Sequence, residues 1–271
     1  MLNKILGLIF IFSLLGCGTQ SASTLQGLAD NENANNAVVL IGAPYNLAGV
    51  PTDIREMTKI FKEDTYNFKF QTVNVNGNAS VQQVLDLTKQ TVKNADTLFW
   101  YFSGHGDRGK LLANDKSFAF KQVADVIKAE RNGKPLKRLI VMLDSCYSGS
   151  FVDGTSPIIE ENGKTITRQE VVDNIMNSLI EKDANLYEQA FVFASSTKNQ
   201  TSQDDGAANG GAFTYSFRTS LQEFKGSNPN VTIEQWAKDS KERTEKKYKH
   251  TPVWKAYPAN LVLNEKLFIY E

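Results

Sequence analysis

Two short stretches of this 271-residue chain carry residue types that could do covalent chemistry. His105 stands in Ser103-Gly104-His105-Gly106, and Cys146 in Asp144-Ser145-Cys146-Tyr147-Ser148-Gly149. A thiol is a poor nucleophile until it loses its proton, and a nearby imidazole can accept that proton and later return it to a leaving amine. The flanking glycines let the backbone turn sharply and leave amides open as donors to an oxyanion. Such chemistry needs the two residues side by side, although 41 positions separate them.

The pattern around them supplies a way to bring them together. Residues 97–102 and 139–143 are continuous apolar runs of strand length, as in strands buried on both faces, and each motif begins where its run ends. Residues 38–41, 68–75 and 189–194 read as further strands. Helices are expected over 51–62, from Ser80 with Gln83 at capping-box spacing, over 120–130, from about 211 to 224, and over 231–249. Residues 261–263 and 267–270 are possible closing strands. Strands separated by helices along one domain imply a mostly parallel sheet covered on both faces, and in such sheets ligands collect at the carboxyl ends of the strands. If the two motif-bearing strands are neighbours, Cys146 and His105 face each other across one edge. His250, at the end of a charged helix with no cysteine partner in sequence, reads as structural.

Composition excludes several classes. Thirty basic against thirty acidic residues give zero formal charge, so no broad positive field exists to hold nucleic acid. Two cysteines and two histidines suit neither a disulfide scaffold nor a zinc site. At the start, Lys4 precedes an apolar run over residues 5–15 that ends in Leu14-Leu15-Gly16-Cys17. The run is about half the length a membrane-spanning helix requires and reads as a secretion signal. Its end resembles the bacterial lipobox, which implies a signal peptide at 1–16, lipid on Cys17, and, with Gly18 rather than aspartate next, sorting to the outer membrane of a bacterial envelope. Residues 17–36, rich in Ser, Asn, Gln and Thr, would then be a flexible tether, and 37–271 the folded domain. With Cys17 acylated, Cys146 is the remaining thiol.

The pair SGHG and DSCYSG on successive buried strands resembles the caspase and metacaspase superfamily of cysteine peptidases, in particular the bacterial orthocaspases. Caspases place the histidine about fifty residues before the cysteine, somewhat farther than here. Leu40-Ile41-Gly42 with Leu47, Gly49 and Asp53, the segment 193–202 with Gln200 and Ser202, the run Gly210-Gly211-Ala212-Phe213-Thr214, and Thr251-Pro252 extend the similarity over most of the domain. The resemblance implies a caspase-like three-layer α/β sandwich with about six strands. It implies Cys146 as nucleophile, His105 as proton carrier, and the backbone amides of Gly106 and Cys146 as the oxyanion hole.

Specificity follows from one departure. Caspases that cut after aspartate carry Gln two residues before the nucleophile, where this chain has Asp144. In metacaspases and orthocaspases the residues matching Asp144 and Asp53 line the S1 pocket and pair with Arg or Lys, so peptides or proteins with Arg or Lys before the cut bond are the expected substrates. No cofactor is required by this reading. Calcium, needed by many metacaspases, would find Asp153 seven residues after the nucleophile, with only Asp107 and Asp115 in the loop after the histidine. That is few oxygen ligands for an ion that takes six to eight. Lys164 and Arg168, in a polar stretch, are candidate self-cleavage sites, and an unprocessed single chain is expected to be a monomer. The competing reading is a catalytically silent caspase-like lipoprotein that binds peptides or partners as a scaffold. Retention of both Cys146 and His105 speaks against it.

Overall fold

The computed structural model describes residues 35–62, 70–146, 148, 159–161, 164–166, 186–197, 199–227 and 232–257. The chain alternates strands and helices: β1 (Asn36–Ala43), α1 (Val50–Lys62), β2 (Thr72–Asn76), α2 (Val81–Val92), β3 (Thr97–Gly104), then three short strands, β4 (Gly106–Asp107), β5 (Lys110–Leu112) and β6 (Ser117–Phe118). α3 (Phe120–Glu130) and β7 (Leu136–Asp144) follow, then a small hairpin of β8 (Ile159–Glu161) and β9 (Lys164–Ile166). The described part ends with β10 (Tyr187–Ala194), α4 (Gly206–Asn209), α5 (Ala212–Ser227), α6 (Ile233–Tyr248) and β11 (Val253–Tyr257).

Six strands form the main sheet in the order β11-β10-β7-β3-β1-β2, parallel throughout except for β11, which runs antiparallel to β10. Every residue of β1 is buried, as is every residue of β3 after Thr97, so both faces need a cover. Period-two alternation divides the side chains between two layers. Val39, Ile41, Trp100 and Phe102 pack with α2 and α3, whereas Val38, Leu40, Phe99 and Tyr101 pack with α1, α5 and α6. The result is a three-layer α/β sandwich.

Two helix starts are fixed by their sequence. The Ser80 hydroxyl accepts from the Gln83 amide while the Gln83 side chain accepts from the Ser80 amide, and Thr232 with Gln235 repeats the arrangement on α6. The antiparallel edge strand over residues 253–257, most of it intermediate in burial, was not anticipated from the sequence. The expected closing strands at 261–263 and 267–270 lie outside the described residues, as do residues 1–34. β1 begins at Asn36, with the Asn35 amide already tied to the Asp96 carboxylate, so regular structure starts one residue inside the stretch read as tether. Among the described residues no helix is long and apolar enough to cross a membrane.

The strand order sets the position of the site. From β1 the chain crosses to β2 on one side and then returns to β3 on the other, so the carboxyl ends of β1 and β3 border a topological switch point where loops diverge and leave a crevice.

Candidate active site

β3 and β7 are adjacent and parallel, and their register pairs Ser103 with Asp144. His105 and Cys146 each lie two residues past that pair, so the sheet brings them to the same edge. Gly106 lies against the cysteine backbone: a Cβ there would stand 2.5 Å from the Cys146 carbonyl oxygen and 2.9 Å from Ser145 Cβ. Only glycine lets these two segments approach so closely, and both bear amides expected to hold an oxyanion.

The imidazole is oriented by the turn that follows β1. Its Nε2 lies 2.8 Å from the Tyr45 carbonyl oxygen. A carbonyl can only accept, so Nε2 carries the hydrogen and Nδ1 is the nitrogen left to take a proton. Tyr45 and Asn46 have positive φ, 20° and 70°, in a turn closed by the Leu47 amide on the Pro44 carbonyl. Left-handed backbone in two successive non-glycine residues costs on the order of 1–2 kcal/mol each. This turn places the Tyr45 carbonyl against the histidine.

The Cys146 thiol donates to the Ser202 carbonyl at 3.7 Å. Burial, with the nearby charge of Asp144 adding to it, pushes the thiol above its ordinary range, so the resting sulfur is protonated. Behind it the loop is held from β10: Ser195 Oγ accepts from the Ser145 amide at 3.1 Å and donates to the Ser145 carbonyl at 3.0 Å. His250 is buried, its Nδ1 2.7 Å from the Ser195 carbonyl, and burial lowers its pKa.

Beside the cysteine is a narrow cavity of about 40 Å³, room for about three waters. Asp53 and Asp144 both line it, 0% and 5% exposed. Asp53 is held by Ser103 Oγ at 2.7 Å on one oxygen and the Gly211 amide at 2.9 Å on the other. Asp144 accepts from Ser202 Oγ on Oδ1, and on Oδ2 from the amide and hydroxyl of Thr214, each at 2.8 Å. Both carboxylates therefore sit at the amino end of α5, where the helix dipole favours negative charge. Two lone pairs per oxygen leave Asp53 one unused acceptor on each oxygen and Asp144 one on Oδ1. Gly211 lies between them, and a Cβ on it would collide with Asp144 Oδ2 and stand 2.9 Å from Asp53 Oδ2. Burial first, and the Asp144 carboxylate second, raise the Asp53 pKa well above the usual carboxylate range.

Asp204 also lines this cavity, with Oδ2 accepting from the Gly49 amide and Oδ1 from the Gly206 amide. Sequence reasoning singled out neither Asp204 nor the Tyr45 carbonyl. A backbone acceptor leaves no mark in residue type, and nothing in the local sequence singles out Asp204.

The other sequence-derived candidates that fall among the described residues lie elsewhere. Lys164 is on β9, paired with Glu161 of β8; Arg168, Asp153, Cys17 and Tyr147 are outside the described residues. Asp115 accepts from the Val81 amide at the start of α2, and Asp107 from the Arg108 amide. They line one cavity together with Lys110 and Lys116, which is not a calcium donor set. No group of three or more His, Cys, Asp or Glu is placed to hold a metal ion among the described residues.

Residues 33–260 match the caspase domain, Peptidase C14, a family of cysteine peptidases. The chain belongs to the caspase domain family. Its fold is similar to that of caspase-1 from Spodoptera frugiperda, with a TM-score of 0.55 and 14% identity, covering 82% of this chain and 86% of that one. At that identity the likeness is one of fold. No curated protein matches the sequence. Within the caspase domain, the paired ends of β3 and β7 are where the histidine and cysteine motifs meet.

Proposed function

We propose that this protein is a cysteine endopeptidase that cuts peptides after Arg or Lys, with Cys146 as nucleophile and His105 as proton carrier. The observation that carries the proposal is the convergence, at one sheet edge, of a thiol, an oriented imidazole and a slot lined by two buried carboxylates.

The substrate's basic side chain enters the slot. A guanidinium presents donors in a fixed fork to the unused lone pairs of Asp53 and Asp144. Asp53 releases its proton as the cation arrives, because the positive charge offsets the burial and repulsion that held the proton there. An acidic side chain would meet two carboxylates and be repelled.

With the carbonyl placed over Cys146, Nδ1 of His105 takes the thiol proton as the sulfur–carbon bond forms. Charge moves onto the carbonyl oxygen, toward the amides of Gly106 and Cys146. The imidazolium, held by the Tyr45 carbonyl, then gives its proton to the amine nitrogen as the carbon–nitrogen bond breaks. Water, deprotonated by His105, attacks the thioester; the sulfur–carbon bond breaks and the proton returns to Cys146. The raised thiol fits this order, in which deprotonation accompanies attack instead of preceding it.

By its amino-terminal resemblance to a lipobox the protein is proposed to be an orthocaspase-like lipoprotein. It would be anchored through lipid on Cys17 to a bacterial outer membrane, act as a monomer on peptide or protein substrates, and bind no nucleic acid. The test of activity is a cleavage profile over a peptide library, for the wild type beside Cys146→Ala. The expected result is cleavage after Arg and Lys that the variant lacks, and an equal profile from both proteins would overturn the proposal.

A further inference from the structure

The histidine stands between two cavities that share no lining residue. The acidic slot touches Cys146 and Gly104. The second cavity, about 470 Å³, begins at Tyr45, whose carbonyl accepts from His105 Nε2 and whose ring meets the imidazole edge-on at 6.1 Å between centroids. Its opposite wall is the β4–β6 sheet, attached to the histidine by the Leu112 amide donating to the His105 carbonyl at 3.0 Å.

We propose that this second cavity is the subsite for the leaving segment of the substrate. It takes a bulky apolar side chain, best an aromatic one, from the first two residues after the cut bond, and disfavours Lys or Arg there. The inference rests on the peptidase reading and follows from the direction of the reaction. The acyl carbon bonds to Cys146 with its basic side chain in the acidic slot. The departing nitrogen must come within hydrogen-bond reach of His105 to receive its proton. Residues attached to that nitrogen therefore extend past the imidazole, and the next surface they meet is Tyr45.

Tyr45 is 64% exposed, the one large hydrophobic side chain so exposed among the described residues. It lies outside the core, and its ring is open to solvent beside the imidazole. Leu112 and Ala113 supply apolar surface beneath it. The walls carry two carboxylates and two ammonium groups, which differ in how they are held. Asp107 and Asp115 are each engaged by a backbone amide, whereas the ammonium groups of Lys110 and Lys116 have no ion-pair partner among the described residues. An aromatic face is attractive to such cations and a basic side chain is not.

The test uses the full chain and three internally quenched peptides identical through an Arg, followed by Phe, Ala or Lys at the first two leaving positions. A fourth substrate carries the same acyl part on an aminocoumarin and has no residue beyond the cut bond. In the wild type, kcat/KM for the Phe peptide should exceed that for Ala by about tenfold, as burial of an aromatic ring allows, with Lys the poorest. Tyr45→Ala should bring the Phe-to-Ala ratio near one, and a ratio is read whatever happens to overall activity. Should that variant fail to fold or turn over, Lys110→Glu with Lys116→Glu must raise the Lys-to-Ala ratio at least several-fold. Equal rates for the three peptides in the wild type, or ratios untouched by the variants, overturn the subsite while aminocoumarin release upholds the peptidase reading. No turnover of any of the four overturns both.

Discussion

Replacing Asp53 by Asn separates the role of that carboxylate in binding from its role in folding. Burial and the Asp144 carboxylate raise its pKa in the native protein, so the folded state keeps a proton that the unfolded chain gives up near pH 3.8. Below that pH both states are protonated and the stabilisation is fully present; it is lost as pH rises toward the native pKa. Inside the window the native state holds one proton more, and each pH unit removes about 1.4 kcal/mol from wild-type stability. Asn cannot ionise but keeps an acceptor for the Gly211 amide, and the Ser103 hydroxyl can turn to accept from its Nδ2. The variant should therefore escape this loss. For a domain of this size, Tm of the variant relative to wild type should climb by roughly 3–5 °C per pH unit over the range above pH 3.8 in which the native carboxyl keeps its proton. Cleavage should move the opposite way. Loss of one carboxylate partner should lower kcat/KM for an Arg peptide at least about tenfold, equivalent to about 1.4 kcal/mol, and flatten its rise with pH. Thermal melts at pH 5, 6 and 7, beside kinetics with matched Arg and Ala peptides, read both effects. A Tm difference independent of pH together with an unchanged Arg preference would refute the placement of Asp53 as a buried, proton-holding S1 group.

Burial of the Cys146 thiol implies that its alkylation by iodoacetamide keeps accelerating above pH 8.5; a plateau below pH 7 would mean a preformed thiolate. Gly106→Ala places a methyl group against the Cys146 carbonyl and should lower kcat by about 100-fold or more with little change in KM, measured on an Arg–aminocoumarin peptide. The lipobox-like end predicts acylation of Cys17, so a labelled fatty acid should be incorporated in cells by the wild type and not by Cys17→Ser.

The sequence was most legible where structure and chemistry coincide in residue type. Strands buried on both faces had to be apolar throughout, so β3 and β7 were marked by composition, and the chemical residues began where the apolar runs stopped. The capping pair Ser80/Gln83 was visible for the same reason, since it needs particular side chains at a fixed spacing. What could not be read depended on the backbone or on distant partners. The Tyr45 carbonyl acts on His105 from another strand end, and Ser195 fixes the Ser145 backbone from β10. The strands β4–β6 are two or three residues long, too short for a period to show. Asp53 and Asp144 could be named as a pair through a resemblance. That both are bound to the amino end of α5, with Gly211 keeping them apart, is visible only once the helix is folded against the sheet.

The central claim is that Cys146 attacks a carbonyl whose neighbouring side chain is a cation held by two carboxylates. An electrophilic peptide ending in Arg, compared with the same peptide ending in Asp or Ala, tests it most directly when adducts are located by mass spectrometry of the full chain. The expected result is stoichiometric modification of Cys146 by the Arg reagent, at least about tenfold faster than by the other two, and slowed by His105→Ala. Equal labelling by all three reagents, or none at Cys146, would contradict the account.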